Sequence, residues 1–459
     1  MPSNRNVNFK FKPPAYISHL TAYSLSALLI ITPLIKGAVQ EWAVSLIHLV
    51  TIVGMAAFLA VRSLNWDWKR IRTPVDQPIL MLVVLSVISS LFSVHPRTSL
   101  WATVLLLNYV LLFYLTVHTV KTRARLRHLI HIIIAMGIFL SVLGLLKRFD
   151  ANPFPWWNYG HSSWLTSTYM NHNHFAGYAE MSISVTLGFF LTGFRGGKLV
   201  LMIYMTGIMV VALALSLSRG GWIAFGLTLV FMAFALLTNR HFERKRFLIS
   251  LVGGLVFVIF IILGNTPVVQ RILTLPQKDA DISFKSRLEV WAGIREMISD
   301  YPLLGTGPGT FGTAFTRYQP PGLRNHFTMA HNDYLHFTAE LGLMLIPILI
   351  WMIIALFREG FRKLENLSRL VRGTTLGAMS GIFAIVVHSA ADFNLHIPAN
   401  ALLFAVLAAV VATPLPKSRN KYQRKEKPVS GRWEVLQDRR DELREQLRKV
   451  PLLTGRRRN

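Results

Sequence analysis

The sequence contains no cysteine, which excludes a disulfide framework and any thiolate metal site. It is also poor in acid: 22 Asp and Glu stand against 49 Lys and Arg, for a formal net charge of +27. It has no His-Glu-x-x-His zinc motif, no internal repeat, and no stretch that reads as a soluble catalytic domain. What it has in excess is apolar surface, 52% of 459 residues, which is too much for an ordinary soluble protein. The positive charge does not read as a nucleic-acid surface. Basic residues fall between apolar runs and in one tail, where they act as membrane topology signals, so no nucleic-acid partner is expected.

Windows of roughly 17–25 apolar residues predict an all-α polytopic membrane protein with about twelve spans, at 17–35, 42–61, 78–94, 100–119, 129–146, 174–194, 199–217, 221–238, 247–264, 336–357, 374–391 and 399–414. The first follows a basic arm and shows no small-residue cleavage site, so it reads as a retained span. With the N-terminus inside, the cytoplasmic segments carry 37 Lys and Arg and the opposite side 12, seven of them in the long loop 265–335. Basic loops stay in the cytoplasm. Both termini are therefore expected there, with 265–335 outside. The domain plan is a membrane domain over 1–414, including that extracytoplasmic loop, and a basic cytoplasmic tail over 415–459. Within the tail, 432–453 places Trp433, Leu436, Leu443, Leu447 and Val450 at heptad-like spacing; this is either an amphipathic helix on anionic lipid or a solvated one.

Four polar clusters fall on the extracytoplasmic side. Asn171, His172, Asn173 and His174 open the sixth window, with Glu180 further on; they could meet sugar hydroxyls or simply cap a helix among interfacial aromatics. Ser216-Leu217-Ser218-Arg219-Gly220-Gly221-Trp222 is so short a connection that Arg219 is pinned near the membrane surface. Its planar fork suits phosphate oxygens, or it snorkels to a head group. Arg287 lies in the first turn of a helix in which Leu288, Trp291, Ile294 and Ile298 recur at helical spacing, an amphipathic pattern suited to the outer membrane face. There it offers a second guanidinium or only a surface charge. The glycines of Gly305-Thr306-Gly307-Pro308-Gly309 follow no strand and read as a turn.

The fourth cluster is Ala330-His331-Asn332-Asp333-Tyr334-Leu335, followed by His336 and Glu340 on one helix face. A neutral histidine is the usual general base near pH 7. Zinc is the competing use, with His172, His174, His326, His331 and His336 available, but scattered histidines make a weak metal pattern. His388, Asp392 and His396 bring one more carboxylate and two more histidines to the same side.

Taken together, Ser-x-Ser-Arg-Gly-Gly-Trp, Arg287 before a Trp-containing helix, Tyr301-Pro302-Leu303-Leu304-Gly305-Thr306-Gly307, His331-Asn332-Asp333-Tyr334-Leu335 with Glu340 and Gly342, and Asp392-Phe393-Asn394-Leu395-His396-Ile397-Pro398-Ala399 resemble the O-antigen ligase and polymerase superfamily. The resemblance spans about residues 165–400. It implies a GT-C-like, metal-independent, inverting glycosyltransferase of the bacterial inner membrane, with a periplasmic site and no cofactor. The donor it implies is an undecaprenyl-diphosphate-linked glycan, and the acceptor lipid A-core or another lipid-linked glycan, among membrane lipids. Carried over residue by residue, Arg219 and Arg287 would hold the diphosphate and His331 would deprotonate the acceptor. Asn171, His172, Asn173, His174, Asn332, Asp333, Glu340 and Asp392 are possible acceptor or sugar contacts. A transporter or flippase of lipid-linked saccharides shares the layout but would show repeats and midplane polar groups; a structural envelope subunit would tolerate alanine at Arg219 and His331.

The charge partition predicts that a topology reporter fused after Pro320 is active only outside the cytoplasm and one fused after Lys417 only inside. A cytoplasmic signal from Pro320 would overturn the placement of every candidate site residue.

Overall fold

The structure, a computed structural model, describes residues 15–65, 68, 71–154, 164–192, 196–239, 250, 253–254, 282–321, 326–414, 437 and 439–446. Among these the regular structure is all helix, without a strand. Two compact units are separable, Met1–Leu415 and Pro416–Asn459. In the second, residues 439–446 are helical and exposed; the rest of the proposed 432–453 helix, Trp433, Leu436, Leu447 and Val450 included, lies outside the described residues except for Gln437.

The first unit is built from α1 (Ala15–Leu34), α2 (Glu41–Asn65), α3 (Asp76–Leu91), α4 (Pro96–Thr119), α5 (Arg123–Arg148), α6 (His172–Phe190), α7 (Gly197–Leu215), α8 (Arg219–Thr238), α9 (Ile282–Asp300), α10 (Asp333–Leu341), α11 (Leu345–Leu364), α12 (Arg369–His388) and α13 (Pro398–Ala412). Six of them, α2, α4, α5, α7, α8 and α12, are long and apolar enough to cross a membrane, while α1, α3 and α13 contribute shorter apolar helices. Apart from residues 250 and 253–254, the 247–264 window lies outside the described residues.

The bundle is organised around α6, which is buried on every face from His174 to Phe190. A helix without a polar stripe belongs inside a bundle. Its closest neighbour is α12, and small residues make the approach possible: a Cβ on Gly188 would lie 2.4 Å from the Gly373 carbonyl oxygen and 2.5 Å from the Gly377 Cα. With lipid as solvent, such contact between backbones is a main source of helix association.

The window at 336–357 is not one helix. It divides into the nine-residue α10 and the longer α11, separated at Gly342, whose φ of +73° no ordinary side chain favours. A Cβ there would lie 2.1 Å from the Leu303 carbonyl oxygen, and the next amide, Leu343, donates to Pro302 O at 2.8 Å. The polar loop thus claims the first part of the apolar window. At ~1.5 Å per residue α10 is far too short to span a bilayer.

The helix α9 packs through Val290, Ile294 and Met297 onto Phe311, Phe315, Ala330 and Ala339, and Trp291 Nε1 donates to Ala330 O at 2.9 Å. Trp291 and Ile298 of the expected apolar stripe pack against this core beside Ile294, and Leu288 is exposed. The glycine-rich segment is a turn, as its spacing suggests. Gly305, Gly307 and Gly309 all have positive φ, and its amides are spent on the protein: Thr306 N donates to Ala339 O and Gly307 N to Glu340 O. It joins α10 to the α3–α4 connection, where Val94 N donates to Thr306 O at 3.0 Å.

Candidate functional site

The turn between α12 and α13, residues 388–396, is where the candidate residues meet. Asp333, the first residue of α10, has Asn332 as its N-cap, with the Asn332 Oδ1 accepting from Leu335 N at 3.0 Å. This capping fixes the start of the helix and points the Asp333 carboxylate into the turn. Its Oδ2 accepts from Ser389 Oγ at 2.7 Å and Leu395 N at 3.1 Å, and its Oδ1 accepts from His396 Nδ1 at 2.7 Å. The Asp333 amide in turn donates to Ser389 O, and Asn332 Nδ2 donates to Ala390 O at 3.0 Å. The other side of the turn is fastened to α6. Asn400 Nδ2 donates to both Asn394 Oδ1 and His174 O at 2.9 Å, and Gly177 leaves the space that Asn394 fills.

On this frame sit the three residues expected to do chemistry. Arg287 Nη1 donates to Ala391 O at 2.8 Å. Arg219 is the first residue of α8, half-buried, with Ser218 as cap: its Oγ accepts from Gly221 N at 3.2 Å. The adjacent Gly220 packs on His388 and Ala391. His331 precedes α10 with a left-handed φ of +49°, a conformation that costs a non-glycine residue about 1 kcal/mol or more and recurs at functional sites. Its Nδ1 lies 3.5 Å from Asp392 Oδ1, and its side chain is 28% exposed while Asp392 is buried. Phe393 is edge-on to both His331 and His174, at 4.9 and 4.7 Å between ring centroids. Three segments distant in sequence therefore converge on one turn.

The electrostatics follow from burial. Desolvation alone would raise the Asp392 carboxyl, but the imidazoles of His331, His174 and His388 outweigh it and hold Asp392 well below the usual carboxylate range. An ionised Asp392 favours a proton on His331 Nδ1, which leaves Nε2 as the acceptor. In the neighbouring group, burial and the charge of His396 lower His336, despite Glu340. Burial would likewise depress His396, but its bond to Asp333, with Glu340 nearby, raises it instead.

His336, Glu340 and His396 bring three possible metal-ligand atoms within 4.8 Å of one another, a donor set of the kind zinc accepts. The hydrogen bonds oppose that use. Ala330 N donates to His336 Nδ1 at 3.4 Å, which puts the ring proton on Nε2, 3.2 Å from Glu340 Oε1. Nε2 is then a donor to the carboxylate, not a lone pair offered to a cation.

The expected sugar contacts separate into two groups. Asp333, Glu340 and Asp392 are buried and serve the protein; Glu340 Oε1 also accepts from Phe311 N at 3.0 Å. Asn332 is engaged as cap and tether, and His174 is buried against Phe393. Asn171, His172 and Asn173 remain half-buried at the start of α6, where Asn171 caps the helix and His172 lies 4.4 Å from the Trp164 ring. Sequence reasoning gave no role to Glu180, Ser389 or Asn400. Glu180 had a signal: it is the one charged residue in the 174–194 window.

Residues 204–350 match the family described as O-Antigen ligase. The match takes in Arg219, Arg287 and His331 and stops short of the 388–396 turn. No curated protein matches the chain.

The raised His396 supplies a pH test. Its contribution to stability is complete below its ordinary value of 6.5 and is lost as pH rises through the raised folded value. The thermal unfolding midpoint should therefore fall as the pH is raised from about 6.5 through the raised folded value of His396. Asp333→Asn should lower the midpoint at acid pH, consistent with roughly 3–5 kcal/mol for breaking a buried pair, and flatten the decline. A parent protein with no such decline contradicts the assignment.

Proposed function

Taking as premise that this multi-pass membrane chain belongs to the O-antigen ligase and polymerase superfamily through residues 204–350, we propose that it transfers a glycan from an undecaprenyl-diphosphate carrier to an acceptor hydroxyl at the outer face of the bacterial inner membrane. The observation that carries this reading is the convergence of the Arg219 turn, Arg287 and His331 on residues 388–396. In this reading about twelve spans form a GT-C-like arrangement with both termini cytoplasmic and the loop at 265–335 outside.

The two guanidinium groups bind the diphosphate. Arg287 gives one N–H to Ala391 O, which orients a fork that has further donors for phosphate oxygens. The acceptor hydroxyl donates its proton to His331 Nε2 as its oxygen attacks the anomeric carbon. The bond from that carbon to the diphosphate oxygen breaks on the opposite face, so the configuration inverts. Negative charge grows on the departing diphosphate and is met by arginine, which makes a general acid unnecessary. Asp392 holds the His331 tautomer and stabilises the imidazolium that forms, as a carboxylate does behind other catalytic histidines. In this reading Asn171, His172 and Asn173 contact sugar. No step uses a metal, and chelator should leave turnover unchanged.

The test is substitution in the full chain. Arg219→Lys keeps the charge but loses the fork and should remain strongly impaired, as should Arg287→Ala. His331→Ala should lower transfer ~10²–10⁴-fold while donor binding persists. Parent-like transfer by a correctly inserted His331→Ala protein would remove the base assignment.

A further inference from the structure

Two turns into α6, Glu180 is completely buried, and its Oε1 lies 3.0 Å from Nδ1 of His388, the equally buried last residue of α12. Among the described residues, neither Glu180 oxygen nor either His388 nitrogen makes a well-aligned hydrogen bond. Buried ion pairs rarely add net stability over apolar groups of the same volume, and ionisable residues within spanning segments are costly enough to carry a task. Apart from the share of His388 in holding Asp392 ionised, the mechanism above gives this pair no role.

What the pair touches is the first turn of α8. A Cβ on Gly220 would lie 3.1 Å from His388 Cδ2 and Nε2; one on Gly221 would lie 2.8 Å from Glu180 Oε1 and 3.0 Å from Ala176 Cβ. No side chain separates this backbone from the imidazole and the carboxylate. Glu180 also sits at the positive end of the α8 dipole, where a negative charge is favoured. On the other side of the turn, Leu217 is held at a φ of +56°, so the chain arrives under constraint and is stopped against the pair.

We propose that the Glu180–His388 pair is the positioning element for Arg219. It fixes where the α8 terminus stops and therefore where the guanidinium meets the donor diphosphate. Binding through a bidentate fork tolerates errors of only ~0.5 Å, and two glycines leave no flexible side chain to absorb a shift of the seat. The inference rests on the reading of Arg219 as a diphosphate clamp. Glu180 and His388 are assigned no contact with the substrate.

The experiment measures binding of a lipid-diphosphate-linked glycan, together with KM for donor and acceptor, on the purified full chain. Glu180→Gln keeps the shape and removes the charge. Donor affinity should fall about tenfold, within the range for directly coupled sites, with acceptor KM unchanged. In an Arg219→Lys background the same substitution should add less than about twofold, because both act through one contact. Parent-like donor affinity in Glu180→Gln, or the full loss repeated in the Arg219→Lys background, overturns the proposal and leaves the pair a packing feature. Should Glu180→Gln fail to fold, Gly220→Ala presses a methyl on the His388 ring from the other side. It should weaken donor binding in the same selective way, and unaltered binding overturns the proposal. Parent-like donor affinity in Arg219→Lys alone sinks the clamp reading and this inference with it. A weakened Arg219→Lys beside an intact Glu180→Gln sinks this inference alone.

Discussion

Asp333 turns its carboxylate inward and takes Ser389 Oγ, the Leu395 amide and His396 Nδ1 at once, so the first residue of α10 is tied to the turn between α12 and α13. Nearly everything at the site hangs from that tie. It fixes the position of His331 two residues upstream, sets Asp392 beside it, and holds Ala391 where Arg287 can donate to its carbonyl. The cost is a carboxylate removed from solvent, offset by three hydrogen bonds and a raised histidine. A polar knot of this kind specifies one arrangement of a loop that apolar contacts alone would leave loose.

Below the knot, order comes from closeness of backbone. The α6–α12 contact through Gly188, Gly373 and Gly377 carries a rigid wall up to Glu180 and His388, and the α8 terminus rests on that wall. The polar loop is secured separately, by the turn at Gly305, Gly307 and Gly309 and by the small core of α9 with Phe311 and Phe315. Rigid helices and a pinned loop thus bring an arginine turn, a second arginine and a histidine to one place.

Much of this was legible in the chain. Apolar windows located six helices long enough to cross a membrane because length and composition dominate there, and Arg219 stood out because charge at the edge of an apolar run is costly. Other features were hidden for physical reasons. The break at Gly342 depends on a distant partner, the Leu303 carbonyl, that periodicity cannot see. The burial of Val290 and Met297 in α9 is decided by Phe311 and Phe315. Asp333 and Glu340 carry the same side-chain chemistry whether they face sugar or a buried histidine, so only packing separates the two uses. Glu180 was visible as a lone charge, but its partner His388 lies more than two hundred residues away.

The central claim is that this site makes a glycosidic bond. The most direct measurement reconstitutes the purified chain in liposomes with a lipid-diphosphate-linked glycan and alternative hydroxyl acceptors, following carrier release and the anomeric configuration of the product by nuclear magnetic resonance. The account predicts one free lipid diphosphate for each new bond, with inverted configuration. Movement of intact donor across the bilayer without any new bond would contradict it.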